Sequence, residues 1–269
     1  MGYSSSSFSA SSMSVLALVV LLFCSSTQLS SAQVTTDLSS PSPAGAASKV
    51  NLSLYYETLC PGCSDFMVNY LPQIFENGLI DIIDLKFIPY GNAKISADKV
   101  ITCQHGPKEC LLNTVEACAL HVWPALDKHF SFIRCVETFV YNDQQSQWKS
   151  CYSKLGYEEE PINDCIKSGL GKKLELGHGK VTGDLKPPLE YVPWVTVNNE
   201  PLINEYSNFQ TYVCNAYKGT KPSACQGANG YITPEAKSNQ MLEVSFKNET
   251  TPTTKIMSPT TKARRLMKF

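Results

Sequence analysis

Apolar and polar residues alternate along residues 49–58, which is the two-residue period of a β-strand. Apolar positions then recur at helical spacing from Pro61 onward, and this segment ends at Asn77-Gly78, a sequence typical of a helix C-terminus. Pro72 lies inside the segment, so we expect the helix to kink or break there. Residues 80–90 are mostly apolar and predict a second strand. A strand, a helix and a strand of these lengths predict two parallel strands with a right-handed crossover.

Residues 103–182 have a different pattern, with several apolar stripes at helical spacing. The two clearest stripes lie on residues 111–122 and 132–140, and residues 148–155 and 162–170 are shorter candidates. The region also holds most of the cysteines and ends in a glycine-rich stretch. We interpret it as an insertion of short helices held together by disulfides.

The strand pattern resumes at residues 191–197. Residues 198–201 predict a turn, Leu202-Ile203 a short returning strand, and residues 206–216 a closing helix. The predicted order is therefore β-α-β, a helical insertion, and β-β-α, which is an α/β fold. We assign this domain to residues 49–232.

The N-terminus has the pattern of a signal peptide. Residues 15–23 form an uninterrupted apolar run that is too short to span a bilayer, and Ser30-Ser31-Ala32 offers a cleavage site. We therefore predict that residues 1–32 are removed and that residues 33–48 form a polar linker. A buried helix is the alternative interpretation of the apolar run. The rest of the sequence contains no apolar run of about 18 residues, so we expect no membrane span.

Charge is close to balanced over the whole chain, with a net value of −1. From Glu235 onward there are seven lysines and arginines against three glutamates, which leaves the predicted domain mildly acidic. No basic face indicates nucleic-acid binding. Residues 233–269 are rich in threonine, serine and lysine, so we expect a disordered tail or a segment processed at a basic site such as Arg264-Arg265.

Eleven cysteines are present, and Cys24 belongs to the predicted signal peptide. The remaining even number in a secretory chain predicts disulfides, because the oxidising compartment lets them persist. If Cys60 and Cys63 form the reactive pair, eight candidates for structural disulfides remain. They are Cys103, Cys110, Cys118, Cys135, Cys151, Cys165, Cys214 and Cys225. The sequence does not determine how these eight are paired.

Cys60-Pro61-Gly62-Cys63 lies directly after a predicted strand, at the start of a predicted helix. Backbone N–H groups and the helix dipole favour a negative charge at that position, so Cys60 is expected to be an acidic, nucleophilic thiol. Cys63 lies one turn farther on, where it can resolve a mixed disulfide. The alternatives are a purely structural pairing or a zinc site completed by Cys103, His105 and Cys110. We expect no bound metal.

Pro193 begins the third predicted strand, where a cis-proline would face the dithiol and expose the preceding backbone to a substrate chain. We therefore expect Val192 and Pro193, with Pro61 and Gly62, to contact the substrate. A trans proline at the start of a strand is the alternative.

Residues 103–118 match the pattern C-Q-H-G-x-x-E-C-x-x-N-x-x-x-x-C at every fixed position. The chain therefore resembles the gamma-interferon-inducible lysosomal thiol reductase family over residues 49–225. This resemblance implies a thioredoxin-like fold, reduction of protein disulfides and catalytic roles for Cys60 and Cys63. Glu109 and Asn113 look like cap or network residues. His105 could sense acidity, although we favour a hydrogen-bonding role for it.

The predicted function is thus reduction of protein disulfides through a mixed disulfide. A secretory disulfide oxidase or isomerase and a non-enzymatic, disulfide-stapled binding module are the alternatives. We expect no bound cofactor, disulfide-containing protein substrates, and a low-molecular-weight thiol or dithiol as electron donor. Location in the secretory pathway, outside the cell or in a lysosome or vacuole, agrees with candidate glycosylation sites at Asn51 and Asn248.

Overall fold

The computed structural model describes residues 47–226, 242–247 and 255–257. The predicted signal peptide and almost all of the predicted linker, as well as Asn248 and Arg264-Arg265, lie outside these residues. The strands are β1 (Val50–Tyr56), β2 (Ile83–Pro89), β3 (Lys94–Ile95), β4 (Ile101–Thr102), β5 (Tyr191–Val192), β6 (Trp194–Val197), β7 (Glu200–Pro201), β8 (Leu242–Phe246) and β9 (Lys255–Met257). The α-helices are α1 (Pro61–Asp65), α2 (Gln73–Glu76), α3 (Pro107–Val122), α4 (Leu126–Tyr141), α5 (Ser150–Leu155), α6 (Glu160–Lys167), α7 (Leu170–Gly183) and α8 (Phe209–Ala216).

The main sheet has the strand order β2-β1-β6-β7. β1 pairs with β2 in parallel and with β6 antiparallel, and β7 pairs antiparallel with β6. Leu54 on the central strand β1 lies opposite Phe87 on one side and Val195 on the other. This β-α-β and β-β-α arrangement is the thioredoxin-like topology, so the predicted α/β fold class is confirmed.

The helix after Cys60 is not continuous. α1 ends at Asp65, a π-helical turn follows over Phe66–Tyr70, and α2 begins at Gln73. Pro72 has no backbone N–H, and the Leu71 N–H bonds to the Phe66 carbonyl at 2.9 Å, five residues back. The predicted interruption is therefore present.

The β6–β7 hairpin turns earlier than the sequence predicts. Asn198 and Asn199 both have positive φ, at 50° and 70°, the conformation that a two-residue hairpin loop requires. The returning strand β7 is consequently Glu200–Pro201. The prediction that Leu202-Ile203 forms this strand is wrong.

Helices α3 to α7 form the predicted insertion and have a hydrophobic core of their own, which includes Val115, Phe132 and Ile162. A separate core surrounds the main sheet. Leu111, which begins the first apolar stripe, is 46% exposed and does not belong to the buried face of α3. Two disulfides, Cys118–Cys165 and Cys135–Cys151, connect the helices of the insertion.

A second, smaller sheet has the strand order β5-β8-β9, with both pairs antiparallel. β8 and β9 belong to the segment for which the sequence predicts disorder or processing, and the domain limits proposed above stay predictions. Among the residues that the structure describes, no helix combines the length and apolar character that crossing a membrane requires.

Candidate active site

Cys60 lies at the N-terminus of α1, and its backbone is extended, with φ −85° and ψ 119°. The backbone N–H of Cys63 donates to the Cys60 sulfur at 3.3 Å. Pro61 occupies the first turn, where its missing N–H costs no hydrogen bond, and is exposed, whereas Gly62 is buried. Within the described residues, Cys60 and Cys63 are the free cysteines, and both are buried. The structure therefore places one unpaired thiol on a helix N-terminus and the second within the same turn.

The loop before α1 is held by the insertion. Asn113 on α3 accepts hydrogen bonds through Oδ1 from the backbone N–H and the hydroxyl of Thr58, each at 3.0 Å. Leu59, between Thr58 and Cys60, has a positive φ of 64°, a conformation that is costly for leucine. The contact with Asn113 thus stabilises a strained turn directly before Cys60, which gives this signature residue a physical role.

Val192 and Pro193 lie against the dithiol. The Val192–Pro193 peptide bond is cis, and the thiol of Cys60 points at the Val192 carbonyl oxygen, with 3.9 Å between the two atoms. A second cis bond, Lys186–Pro187, was not singled out by the sequence analysis.

The other eight candidate cysteines all lie in disulfides. The pairs are Cys103–Cys110, Cys118–Cys165, Cys135–Cys151 and Cys214–Cys225. Since Cys103 and Cys110 are bonded to each other, they offer no thiolates to a metal ion, and the alternative zinc site with His105 is not formed.

His105 lies between two buried glutamates near the dithiol. Its Nδ1 contacts Glu109 Oε2 and lies 3.5 Å from Glu57 Oε1. Glu109 also accepts from the backbone N–H of Gln104 at 3.0 Å, and Glu57 accepts from that of Asn92 at 2.7 Å. The ligand atoms of the three residues lie within 4.8 Å of one another, a spacing that could hold a metal ion. However, both carboxylates already accept hydrogen bonds, so we interpret the group as a histidine held by two carboxylates.

Glu57 was missed by the sequence analysis. It directly follows β1, in a segment whose alternating pattern predicts only a strand. The related sequence feature is Gly91. In the structure this glycine has a positive φ of 58°, and a Cβ added to it would lie 2.4 Å from Glu57 Oε2. A glycine therefore leaves room for this carboxylate beside the dithiol, but its partner lies 34 residues away and is not evident from local sequence.

A second pair of glutamates, Glu116 and Glu137, is completely buried where α3 and α4 pack together. The Tyr56 hydroxyl donates to Glu116 Oε2 at 2.6 Å. Burial raises the pKa of Glu116 to about 8, although hydrogen bonds with Tyr56 and Glu137 lower that pKa. Burial, followed by the charge of Glu116, raises the pKa of Glu137 well above its ordinary value. Hence the pair holds at least one proton at neutral pH.

The pKa of Cys60 differs from the expectation of an acidic thiol. Burial raises the pKa of Cys60 above its ordinary value, and the charges of Glu57 and Glu109 raise it further. Hydrogen bonds from Cys63 lower it, but they do not compensate for the loss of water. Burial likewise raises the pKa of Cys63. The helix N-terminus is thus present as predicted, yet in this closed arrangement the expected depression of the Cys60 pKa is absent.

His129 and the sequon at Asn51 each take part in a local hydrogen bond. His129 Nδ1 lies 2.8 Å from the Trp123 carbonyl oxygen, and burial lowers its pKa. The backbone N–H of Asn51 donates to Asn198 Oδ1 at 3.0 Å, and the Asn51 side chain is half-buried on β1.

Residues 51–155 match the family model described as gamma interferon inducible lysosomal thiol reductase (GILT). A protein of Arabidopsis thaliana named gamma-interferon-responsive lysosomal thiol protein is 46% identical over 77% of this chain and 88% of its own length. The gamma-interferon-inducible lysosomal thiol reductase of Mus musculus is 37% identical over 69% of this chain and 75% of its own length.

In three dimensions, the chain is similar to the crystal structure of Chlamydia trachomatis DsbA, with a TM-score of 0.46 and 11% sequence identity. The match covers 65% of this chain and 89% of that one. Family membership is shown by the sequence relatives rather than by this distant likeness.

Proposed function

We propose that this chain, which belongs to the gamma-interferon-inducible lysosomal thiol reductase family, reduces protein disulfides with Cys60 as nucleophile and Cys63 as resolving thiol. The family makes it a thiol–disulfide oxidoreductase that acts on disulfide-containing substrates. The assignment of roles to the two cysteines is our inference from their positions.

The observation that carries the assignment is the difference between these two cysteines and the other eight. Cys60 and Cys63 are free within one helical turn, and the Cys63 N–H donates to the Cys60 sulfur. The other eight are bonded in pairs. A thiolate that forms on Cys60 keeps this hydrogen bond and gains the favourable field of the helix N-terminus.

The reaction then proceeds by two exchanges. The Cys60 thiolate attacks one sulfur of a substrate disulfide, a Cys60–substrate disulfide forms, and the other substrate sulfur leaves as a thiolate that takes up a proton. Cys63 loses its proton and attacks the Cys60 sulfur, which releases the second substrate thiol and leaves a Cys60–Cys63 disulfide. An external low-molecular-weight thiol or dithiol returns two electrons to the enzyme, so no bound cofactor is needed.

The charges near Cys60 support the reducing direction. The charged side chains that act most strongly on Cys60 are the carboxylates of Glu57 and Glu109, which disfavour its thiolate. Strong thiol oxidants owe their high potential to a stabilised thiolate in the reduced form, and these carboxylates act in the opposite sense. Equilibration with glutathione tests this direction, because an oxidase or isomerase would have a much less negative potential.

An acidic endolysosomal compartment or a vacuole is the location we propose, by analogy with the lysosomal relatives. The fully buried carboxyl pair Glu116 and Glu137 supports an acidic setting, because both groups are neutral there and a buried neutral pair costs less than a buried charge.

Reduction of insulin disulfides with a thiol donor tests the proposed roles. Cys60→Ser should abolish turnover, whereas Cys63→Ser should accumulate a covalent complex with an insulin chain that dissolves on adding reductant. Ser153→Ala, an exposed position on α5, is the control and should match wild type. Equal turnover by Cys60→Ser and wild type would disprove the assignment.

A further inference from the structure

β5 has a strand partner that is not part of the main sheet. Tyr191 and Val192 pair antiparallel with Phe246 and Ser245 of β8. Beyond this ladder, the backbone N–H of Lys247 donates to the Glu190 carbonyl at 3.0 Å. A segment that begins 17 residues after Cys225, the last cysteine of the chain, is therefore bonded to the edge of β5.

The same short edge faces the nucleophile. Val192 lies opposite Ser245 in the β5–β8 pair, and its carbonyl oxygen lies 3.9 Å from the Cys60 sulfur. β8 also packs beside α1, the helix that carries Cys63. β8 thus lies next to both elements that frame the dithiol.

A disulfide substrate requires this space. To bring a sulfur onto Cys60, a polypeptide must pass between α1 and β5, and the unpaired backbone of an edge strand binds an extended chain by adding it as a further strand. β8 makes the hydrogen bonds that such a chain would make. A substrate segment and β8 therefore compete for one edge.

β8 differs from a substrate in one chemical respect. Residues 226–269 contain no cysteine, and the residue opposite Val192 is a serine. Cys60 has no disulfide to attack in this segment, so the segment can occupy the edge without being consumed.

The dithiol is closed while β8 is in place, since Cys60 and Cys63 are each 0% exposed. The last disulfide is Cys214–Cys225, so no crosslink ties β8 to the body of the domain, and it can leave without breaking a covalent bond. β8 belongs to the same chain as β5, so its docking is intramolecular, and a contact too weak to hold a separate peptide can remain mostly formed.

We infer that Leu242–Phe246 is a built-in, non-reactive substitute for the substrate strand, which docks on β5 and keeps Cys60 covered until a substrate displaces it or the tail is removed. This inference rests on the proposed function, because reduction of protein disulfides requires the edge of β5 to bind an extended polypeptide. Beyond that function, the inference states that β8 occupies this edge and keeps the thiol covered.

The test uses the full chain. In Ser245→Pro/Lys247→Pro, two backbone N–H donors of the docked segment are lost, including the one bonded to Glu190, so the segment should detach from β5. Lys262→Pro makes a similar change farther along the tail and is the control. The primary measurement is the rate at which iodoacetamide alkylates Cys60 in a Cys63→Ser background, which requires no substrate.

The double variant should be alkylated about tenfold faster than the parent and the Lys262→Pro control, as expected if the docked form leaves the thiol open in about a tenth of molecules. In the otherwise wild-type background, KM for insulin should fall with a smaller change in kcat. Equal alkylation rates in all three proteins would overturn the inference. Because alkylation does not depend on turnover, this failure is distinct from a failure to reduce insulin.

A peptide of residues 241–249, added at millimolar concentration to the double variant, should restore slow alkylation. The same peptide with proline at positions 245 and 247 should not. Protection by both peptides or by neither would contradict strand pairing as the cause.

Discussion

The sulfur of Cys60 lies 3.9 Å from the carbonyl oxygen of Val192, 132 residues farther along the chain. This distance joins the start of α1 to the strand before Pro193, and the insertion lies between them in sequence. The relationship defines where a substrate backbone must lie, because a chain paired with Val192 is delivered directly to the thiol. It also explains why a strand of the same protein that pairs with Val192 closes the site.

Glu57→Gln should lower the pKa of Cys60. Burial is the largest cause of the raised pKa of this thiol, and the charge of Glu57 raises that pKa further. The neutral amide of glutamine removes this charge. The Cys60 thiolate absorbs in the ultraviolet, so titration of Cys63→Ser with and without Glu57→Gln measures the change. Glu160→Gln, at an exposed position, serves as control and should leave the midpoint unchanged. A midpoint that is unchanged or higher in Glu57→Gln would show that Glu57 does not act on the thiol.

The folded protein should lose stability as pH rises from about 4.5 to 8. In this range Glu116 and Glu137 are protonated in the native state but ionised in the unfolded chain. Their folded pKa values lie above the unfolded value near 4.5, so the unfolded chain binds fewer protons between about pH 4.5 and 8. The free energy of unfolding should fall there by about 1.4 kcal/mol per pH unit for each such group. Below that range this contribution is fully present.

Urea unfolding at several pH values measures this slope. The double variant Glu116→Gln/Glu137→Gln has no carboxyl group to ionise at the buried pair, so its profile should be flatter and its relative stability highest near pH 8. A slope as steep as that of wild type would place the titrating groups elsewhere.

The disulfide that closes the longer loop should contribute more stability. Cys118–Cys165 spans 47 residues and Cys214–Cys225 spans 11. Loop-closure entropy predicts a cost of about 4 kcal/mol for replacing the first pair by alanine and about 3 kcal/mol for the second. Urea unfolding of the two double alanine variants checks the order, and a larger loss for Cys214–Cys225 would contradict the entropic account.

Gly171 and Gly177 on α7 should respond in opposite directions to alanine. An added Cβ at Gly171 would lie 2.5 Å from Thr114 Cγ2 and 3.0 Å from the sulfur of Cys118, so α7 would have to move away from α3. We expect Gly171→Ala to cost about 1–3 kcal/mol.

At Gly177 the added Cβ would meet no described atom within 4 Å apart from its chain neighbours and the backbone of its own helix, and the better helix propensity of alanine should stabilise the protein by about 0.5–1 kcal/mol. Thermal unfolding of both variants provides the comparison. Similar changes in the unfolding temperature of the two variants would show that Gly171 is not required for the close packing of α7 on α3.

Much of the fold could be predicted because it depends on patterns within short stretches of sequence. The two-residue period of β1, the proline after Cys60 and the helical stripes of the insertion all act over a few residues. The errors lie at turns and at solvent-facing positions: Asn198 and Asn199 turn the chain earlier than expected, and Leu111 points outward. At such positions several arrangements fit the same local pattern, and packing selects among them.

The position of the dithiol follows from local sequence, since a Cys-Pro-Gly-Cys segment between a strand and a helix puts one sulfur at a helix N-terminus wherever the domain folds that way. Three features could be seen only in three dimensions: which cysteines pair, that the charges of Glu57 and Glu109 act on the thiol, and that β8 pairs with the strand that faces it. These features depend on groups brought together from distant parts of the chain. Desolvation and charge then act through space, so the pKa of Cys60 is set by what packs around it and not by its neighbours in sequence.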